Sequence, residues 1–151
     1  MTLNLGHLSL NVAVADSTTV KRATPMSGKY QDLKVWQKAL ELTLKIYRET
    51  KHFPNEEMYG LTNQMRRAAV SIASNIAEGK GKSSDRDFAV FLCHARGSLH
   101  ELETQLLIAR DLGYLREEGM GAMEELIAET GKMLNGLINS MRPKTAKSKL
   151  A

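Results

Sequence analysis

Residues 65–87 read MRRAAVSIASNIAEGKGKSSDRD. In the first half Met65, Ala69, Ile72 and Ile76 recur at i, i+3/i+4 spacing, the mark of one buried helical face. Ala69, Ala73 and Ala77 form a flanking stripe of small side chains, so a neighbouring helix can approach closely. Gly79 and Gly81 then end the pattern. SSDRD opens a new helix, with Ser84 placed to cap it and Asp85 and Asp87 favourable to its positive end. One helix stops and another starts within a few residues, which favours antiparallel neighbours in a bundle.

Three further helices extend the pattern. Upstream of Met65, the same helix is expected to begin near Glu56, after Pro54 and an Asn55 cap, and to bury Met58 and Leu61. Before it, a helix from about Asp32 to Lys51 carries two apolar stripes. Leu33, Trp36, Leu40, Leu44 and Tyr47 read as its core stripe. Val35, Ala39, Leu42 and Ile46 lie roughly 135° away around the wheel. So wide an apolar arc implies either a helix central to its own bundle or a second stripe that meets another subunit, and the second stripe is taken as the oligomer interface. Downstream of Ser84, Phe88, Phe91, Leu92, Ala95, Leu99, Leu102, Leu106 and Ala109 give the clearest period in the chain, up to about Leu112 and Gly113. The last helix, about Glu118 to Met141, repeats Met120, Met123, Ile127, Thr130, Leu134, Leu137 and Met141 before Pro143. The expected fold is all-α: an antiparallel up-down-up-down four-helix bundle over residues 29–142, an N-terminal extension at 1–28 and a basic tail at 143–151. Met26, just ahead of the first helix, is an alternative to Met1 as the translation start.

The totals agree with one helical domain. The chain has 151 residues, 5% aromatic residues and three prolines. Cys93 is the single cysteine, which excludes an intramolecular disulfide and suits a reducing cytoplasm. No apolar run approaches the roughly 20 residues of a membrane helix, and no secretory signal opens the chain. The net charge of +4 is a weak pointer to an anionic partner.

Three segments, YQDLKVWQKALEL at 30–42, MRRAAVSIASNIAEGKG at 65–81 and ARGSLHELETQLLIARDLGYL at 95–115, resemble the four-helix-bundle proteins encoded in intervening sequences of bacterial 23S rRNA genes. The likeness runs from about Tyr30 to Met141. It departs at Ala73, where the family often has proline, so helix 2 should be straighter here. The resemblance implies a homopentameric ring without established enzymatic activity. A distant relation to the accessory protein of diversity-generating retroelements adds RNA, or a reverse transcriptase, as partners to consider.

Up-down-up-down topology concentrates charge. One pole collects Lys21, Arg22, Lys29, Lys34, Lys80, Lys82, Arg86, Arg142, Lys144, Lys147 and Lys149 against Asp32, Glu78, Asp85 and Asp87. The other pole is slightly acidic. Of the basic set, Lys80, Lys82, Arg86, Arg142, Lys144, Lys147 and Lys149 are the candidate contacts to RNA or DNA, through backbone rather than base stacking, because no aromatic residues interleave with them in sequence. Basic tails that only aid solubility are the competing explanation. Arg66 and Arg67 fall at the height of residues 98–103 on the next helix, so an ion pair with Glu101 and Glu103 is preferred for them over nucleic-acid contact.

No catalytic or metal site is expected, and no cofactor. His94 and His100 sit roughly 120° apart on their helix and cannot easily share a metal. EGKGKSSD lacks the spacing and preceding strand of a phosphate loop. The functional expectation is a non-enzymatic, cytoplasmic, oligomeric bundle that binds nucleic acid, RNA before DNA, through its basic pole. The alternative is a protein adaptor or accessory subunit, for example of a reverse transcriptase.

Overall fold

The computed structural model describes residues 30–143. The N-terminal extension, the start-site question at Met26 and the tail lysines Lys144, Lys147 and Lys149 lie outside the described residues. Within them the chain forms α1 (Lys34–Glu49), α2 (Leu61–Lys80), α3 (Asp85–Asp111) and α4 (Glu117–Ser140), with two 3-10 turns, Thr50–His52 and Asn55–Glu57, between α1 and α2. No strand occurs among the described residues, and the four helices make a helical bundle. Each helix packs on its neighbour in the chain, α1 also packs on α4, and the α2–α3 pair is the most extensive.

The two stripes of α1 have the opposite roles from those expected. Val35, Ala39, Leu42 and Ile46 are the protomer's own core, none more than 5% exposed, so they are not an oligomer interface. Leu40, Leu44 and Tyr47 stand exposed instead, while Leu33 and Trp36 are half-buried against the core. Thr43 shows why the wheel turns this way. It is buried beside Leu42, and its hydroxyl lies 2.8 Å from the Ala39 carbonyl and 3.0 Å from the Ala69 carbonyl of α2. A hydroxyl that satisfies itself on helix backbone can sit in the interior at little cost. A count restricted to apolar residues misses it.

Helix α2 starts five residues later than expected. Residues 55–57 form a 3-10 turn, which leaves Met58 exposed and Asn55 away from the helix start. The cap comes from Glu57, whose carboxylate accepts the Leu61 N–H at 2.9 Å. At its far end the helix continues through Gly79 to Lys80. Gly79 is buried where α2 meets α3: a Cβ there would lie 2.6 Å from the Phe91 Cβ and 2.8 Å from the Phe88 ring. The expected start of α3 is correct, since the Ser84 hydroxyl accepts the Asp87 N–H at 3.1 Å. Seven of the eight side chains on its expected face are buried and Phe91 is half-buried. Gly113, at φ +75°, turns the chain out of α3 in a conformation that favours glycine. In α4, Met120, Met123, Ile127, Thr130 and Leu134 are buried as expected, while Leu137 and Met141 are half-buried.

Candidate nucleic-acid interface

Lys80 and Lys82 flank Gly81 at the turn between α2 and α3, and Arg86 lies in the first turn of α3; all three are exposed. The turn is narrow because Gly79 lets Phe88 and Phe91 come down onto the end of α2. Those rings also underlie the lysines. The Lys80 ammonium sits 5.7 Å from the Phe88 ring centre, and that of Lys82 sits 4.8 Å from the Phe91 ring centre. Sequence order alone concealed this pairing, because the rings belong to the following helix. Phe88 is buried and Phe91 half-buried, so they hold the lysine ammonium groups rather than offer a face to a base. Lys82 also lies 3.8 Å from Glu78, whereas Lys80 and Arg86 have no carboxylate within ion-pair distance among the described residues.

Arg142 follows the end of α4 and is exposed. Among the described residues the pole is nearly balanced: Lys34, Lys80, Lys82, Arg86 and Arg142 face Asp32, Glu78, Asp85 and Asp87. Its remaining excess of positive charge belongs to residues outside them.

The expected ion pair of Arg66 and Arg67 with Glu101 and Glu103 does not form within the protomer. Arg66 turns the other way, towards α1: its Nε donates to the Thr50 hydroxyl at 2.9 Å and its guanidinium lies 4.8 Å from the Tyr47 ring centre. Counting back from the α2–α3 turn gives the height along the bundle, but the flank of the helix decides the partner, and α2 meets α3 through Ser71 instead, 2.9 Å from Ser98. Glu101 accepts from Gln105 of its own helix at 3.1 Å. Arg67 and Glu103 have no side-chain partner among the described residues.

An open groove, not anticipated from the sequence, runs between α1 and α2, about 640 Å³ in volume. Tyr47, Met58, Tyr59, Arg66, Arg67 and Val70 are among the residues that line it, and Tyr59 is 92% exposed. The signal for it in the sequence is the apolar excess of α1, of which Tyr47 lines the groove.

Among the described residues, Lys38 and Tyr114 depart from their ordinary pKa values. Lys38 is held above its ordinary range, first by its hydrogen bond to Glu129 of α4, 2.8 Å away, and then by Glu41. Tyr114 is raised by desolvation and by its 3.2 Å hydrogen bond to Glu57. Cys93 is exposed. Among the described residues no group of three His, Cys, Asp or Glu could hold a metal, and no helix is long and apolar enough to cross a membrane.

Residues 31–136 match the family described as 23S rRNA-intervening sequence protein. The chain belongs to that family. The fold agrees with a solved relative: a protein of unknown function from the S23 ribosomal protein family of Bacteroides thetaiotaomicron VPI-5482, known from a crystal structure at 1.70 Å. It is 26% identical, superposes with a TM-score of 0.64, and the match covers 69% of this chain and 97% of that one. No curated protein matches the chain. The family match takes in all of α1, α2 and α3 and most of α4, so both the lysine turn and the α1–α2 groove belong to the shared region.

Proposed function

We propose that this family member is a non-enzymatic, self-assembling bundle of up-down-up-down helices that contacts the backbone of RNA through the pole bearing the α2–α3 turn. The observation that carries this reading is the lysine turn itself. Lys80 and Lys82 are held over the rings of Phe88 and Phe91, and Arg86 is exposed in the first turn of α3. Cations already held over an aromatic ring lose less freedom on meeting a phosphate than cations on a free chain. Helix pairing supports the topology. Thr50 meets Arg66 and Thr43 meets Ala69, Ser71 meets Ser98, and Gly79 meets Phe91, so the chain runs in opposite directions along α1 and α2 and along α2 and α3. In a ring of such protomers, five by the family resemblance, the lysine turns would gather on one side.

The test is fluorescence anisotropy with a structured RNA at several salt concentrations. Wild type should bind with an affinity that falls steeply as salt rises, because each neutralised phosphate releases counterions. Lys80→Ala with Lys82→Ala should weaken binding and flatten the salt slope by about 2 for a single turn. Equal binding by the variant would remove the turn from the interface, and no binding by wild type at low salt would end the RNA reading. A duplex DNA of matched length in the same assay decides between the two nucleic acids. The second reading, an accessory protein for a partner such as a reverse transcriptase, is favoured by the open α1–α2 groove. It requires that the groove stay uncovered in the assembly.

A further inference from the structure

All ten of the large apolar side chains that stand exposed among the described residues fall into two sets. Leu40, Leu44, Tyr47, Met58, Tyr59 and Val70 lie along α1, α2 and the segment joining them. Val90, Leu107, Ile108 and Leu112 all lie on α3 or at its end. The two sets belong to different sides of the bundle, since α1 packs on α2 and α4 whereas α3 packs on α2 and α4. From the first set, Tyr47, Met58, Tyr59 and Val70 line the groove that holds Arg66 and Arg67. From the second, Leu107 lines a smaller hollow of about 90 Å³ between α3 and α4, together with Glu103 and Glu124. The charged residues of these two places are of opposite sign.

The charged groups at both places lack matching partners within the protomer. Arg67 has no hydrogen bond or ion pair among the described residues, and neither do Glu103 and Glu124. Arg66 spends only its Nε on Thr50, which leaves the rest of its planar fork at the groove. Tyrosine, methionine and arginine are the residues enriched in protein interfaces, and lysine does not line this groove.

We propose that the α1–α2 groove is filled by a second copy of this chain, presenting its α3–α4 edge. Arg67 and Arg66 meet Glu103 and Glu124 of the neighbour, while Leu107 covers the apolar wall formed by Tyr47, Met58 and Val70. The contact is head-to-tail, because groove and edge are different surfaces, so each protomer uses one for each neighbour and the assembly closes as a ring or grows as a filament. The inference rests on the self-assembly reading above and names the surfaces that assembly uses.

Light scattering coupled to gel filtration of the full chain at tens of micromolar tests it. Wild type should run as an oligomer larger than a dimer. Arg67→Glu and Glu103→Arg should each dissociate it, raising the protomer concentration needed for assembly roughly tenfold or more. The helical circular dichroism should not change, because neither side chain has a partner inside the protomer. The double variant carries the pair in reversed order and should regain the oligomer. Singles that assemble like wild type would show that the groove serves a different partner, leaving the self-assembly reading intact. A double variant that fails to recover would refute the pairing. Monomeric wild type would overturn this inference and the self-assembly reading together.

Discussion

Replacing Gly79 with alanine sets two well-characterised effects against each other. Inside a helix, alanine is favoured over glycine by about 1 kcal/mol. At this position the added methyl would lie 2.6 Å from the Phe91 Cβ and 2.8 Å from the Phe88 ring. A ring can rotate, but the Phe91 Cβ is fixed to the backbone of α3, so relief requires the two helices to separate by the better part of an ångström. Overpacking of this kind costs about 1–3 kcal/mol. The balance is a net loss of roughly 1 kcal/mol, and up to about 2 kcal/mol. For a bundle of this size that lowers the melting temperature by roughly 4–8 °C. Gly97→Ala is the internal control: Gly97 is also in a helix, is exposed, and has nothing within 4 Å of its would-be Cβ. There only the helix term remains, and the melting temperature should rise. Urea unfolding of the three proteins at one fixed concentration reads both signs, with the concentration held constant because the proposed self-assembly would add to apparent stability. If Gly79→Ala is as stable as Gly97→Ala, the α2–α3 contact is looser than argued, and with it the scaffold that holds Lys80 and Lys82.

Leu42→Ala should destabilise by about 2–5 kcal/mol, whereas Leu40→Ala, on the exposed stripe, should stay within about 0.5 kcal/mol when unfolding is measured on dissociated protomer; equal losses would return both stripes to the core. Ser84→Ala removes the hydroxyl that accepts the Asp87 N–H and should cost about 1 kcal/mol by chemical denaturation, with no loss counting against the cap. Tyr114 has its folded pKa raised, first by desolvation and then by Glu57, so the fold favours the neutral phenol. Its contribution is therefore fully present below the ordinary tyrosine pKa and is lost as pH rises through the folded value. Tyr114→Phe should remove a late-titrating component from the native absorbance titration; an unchanged titration curve would refute the assignment.

What could be read from the sequence depended on how many neighbours each residue pattern allowed. Helix α3 has one continuous apolar stripe from Phe88 to Ala109, a serine cap and a terminal glycine, all local signals, and each of them appears in the structure. Helix α1 has two apolar stripes, and local periodicity cannot say which one points inward. The deciding residue is Thr43, a polar side chain whose burial depends on carbonyl oxygens of its own helix and of α2. The start of α2 fails for a related reason: Pro54 and Asn55 announce a helix, but Glu57 reaches over the 3-10 turn to cap Leu61 instead. At the candidate site, Lys80, Lys82 and Arg86 could be found as a charged turn, while their support on Phe88 and Phe91 required the depth of the α2–α3 contact. Arg66 and Arg67 carry the same lesson further. The sequence matched them with carboxylates on α3 by height along the bundle, and Arg66 instead faces α1. Arg67 and Glu103 have no side-chain partner among the described residues and lie on different sides of one protomer, and the proposed contact between two copies is the arrangement that would pair them.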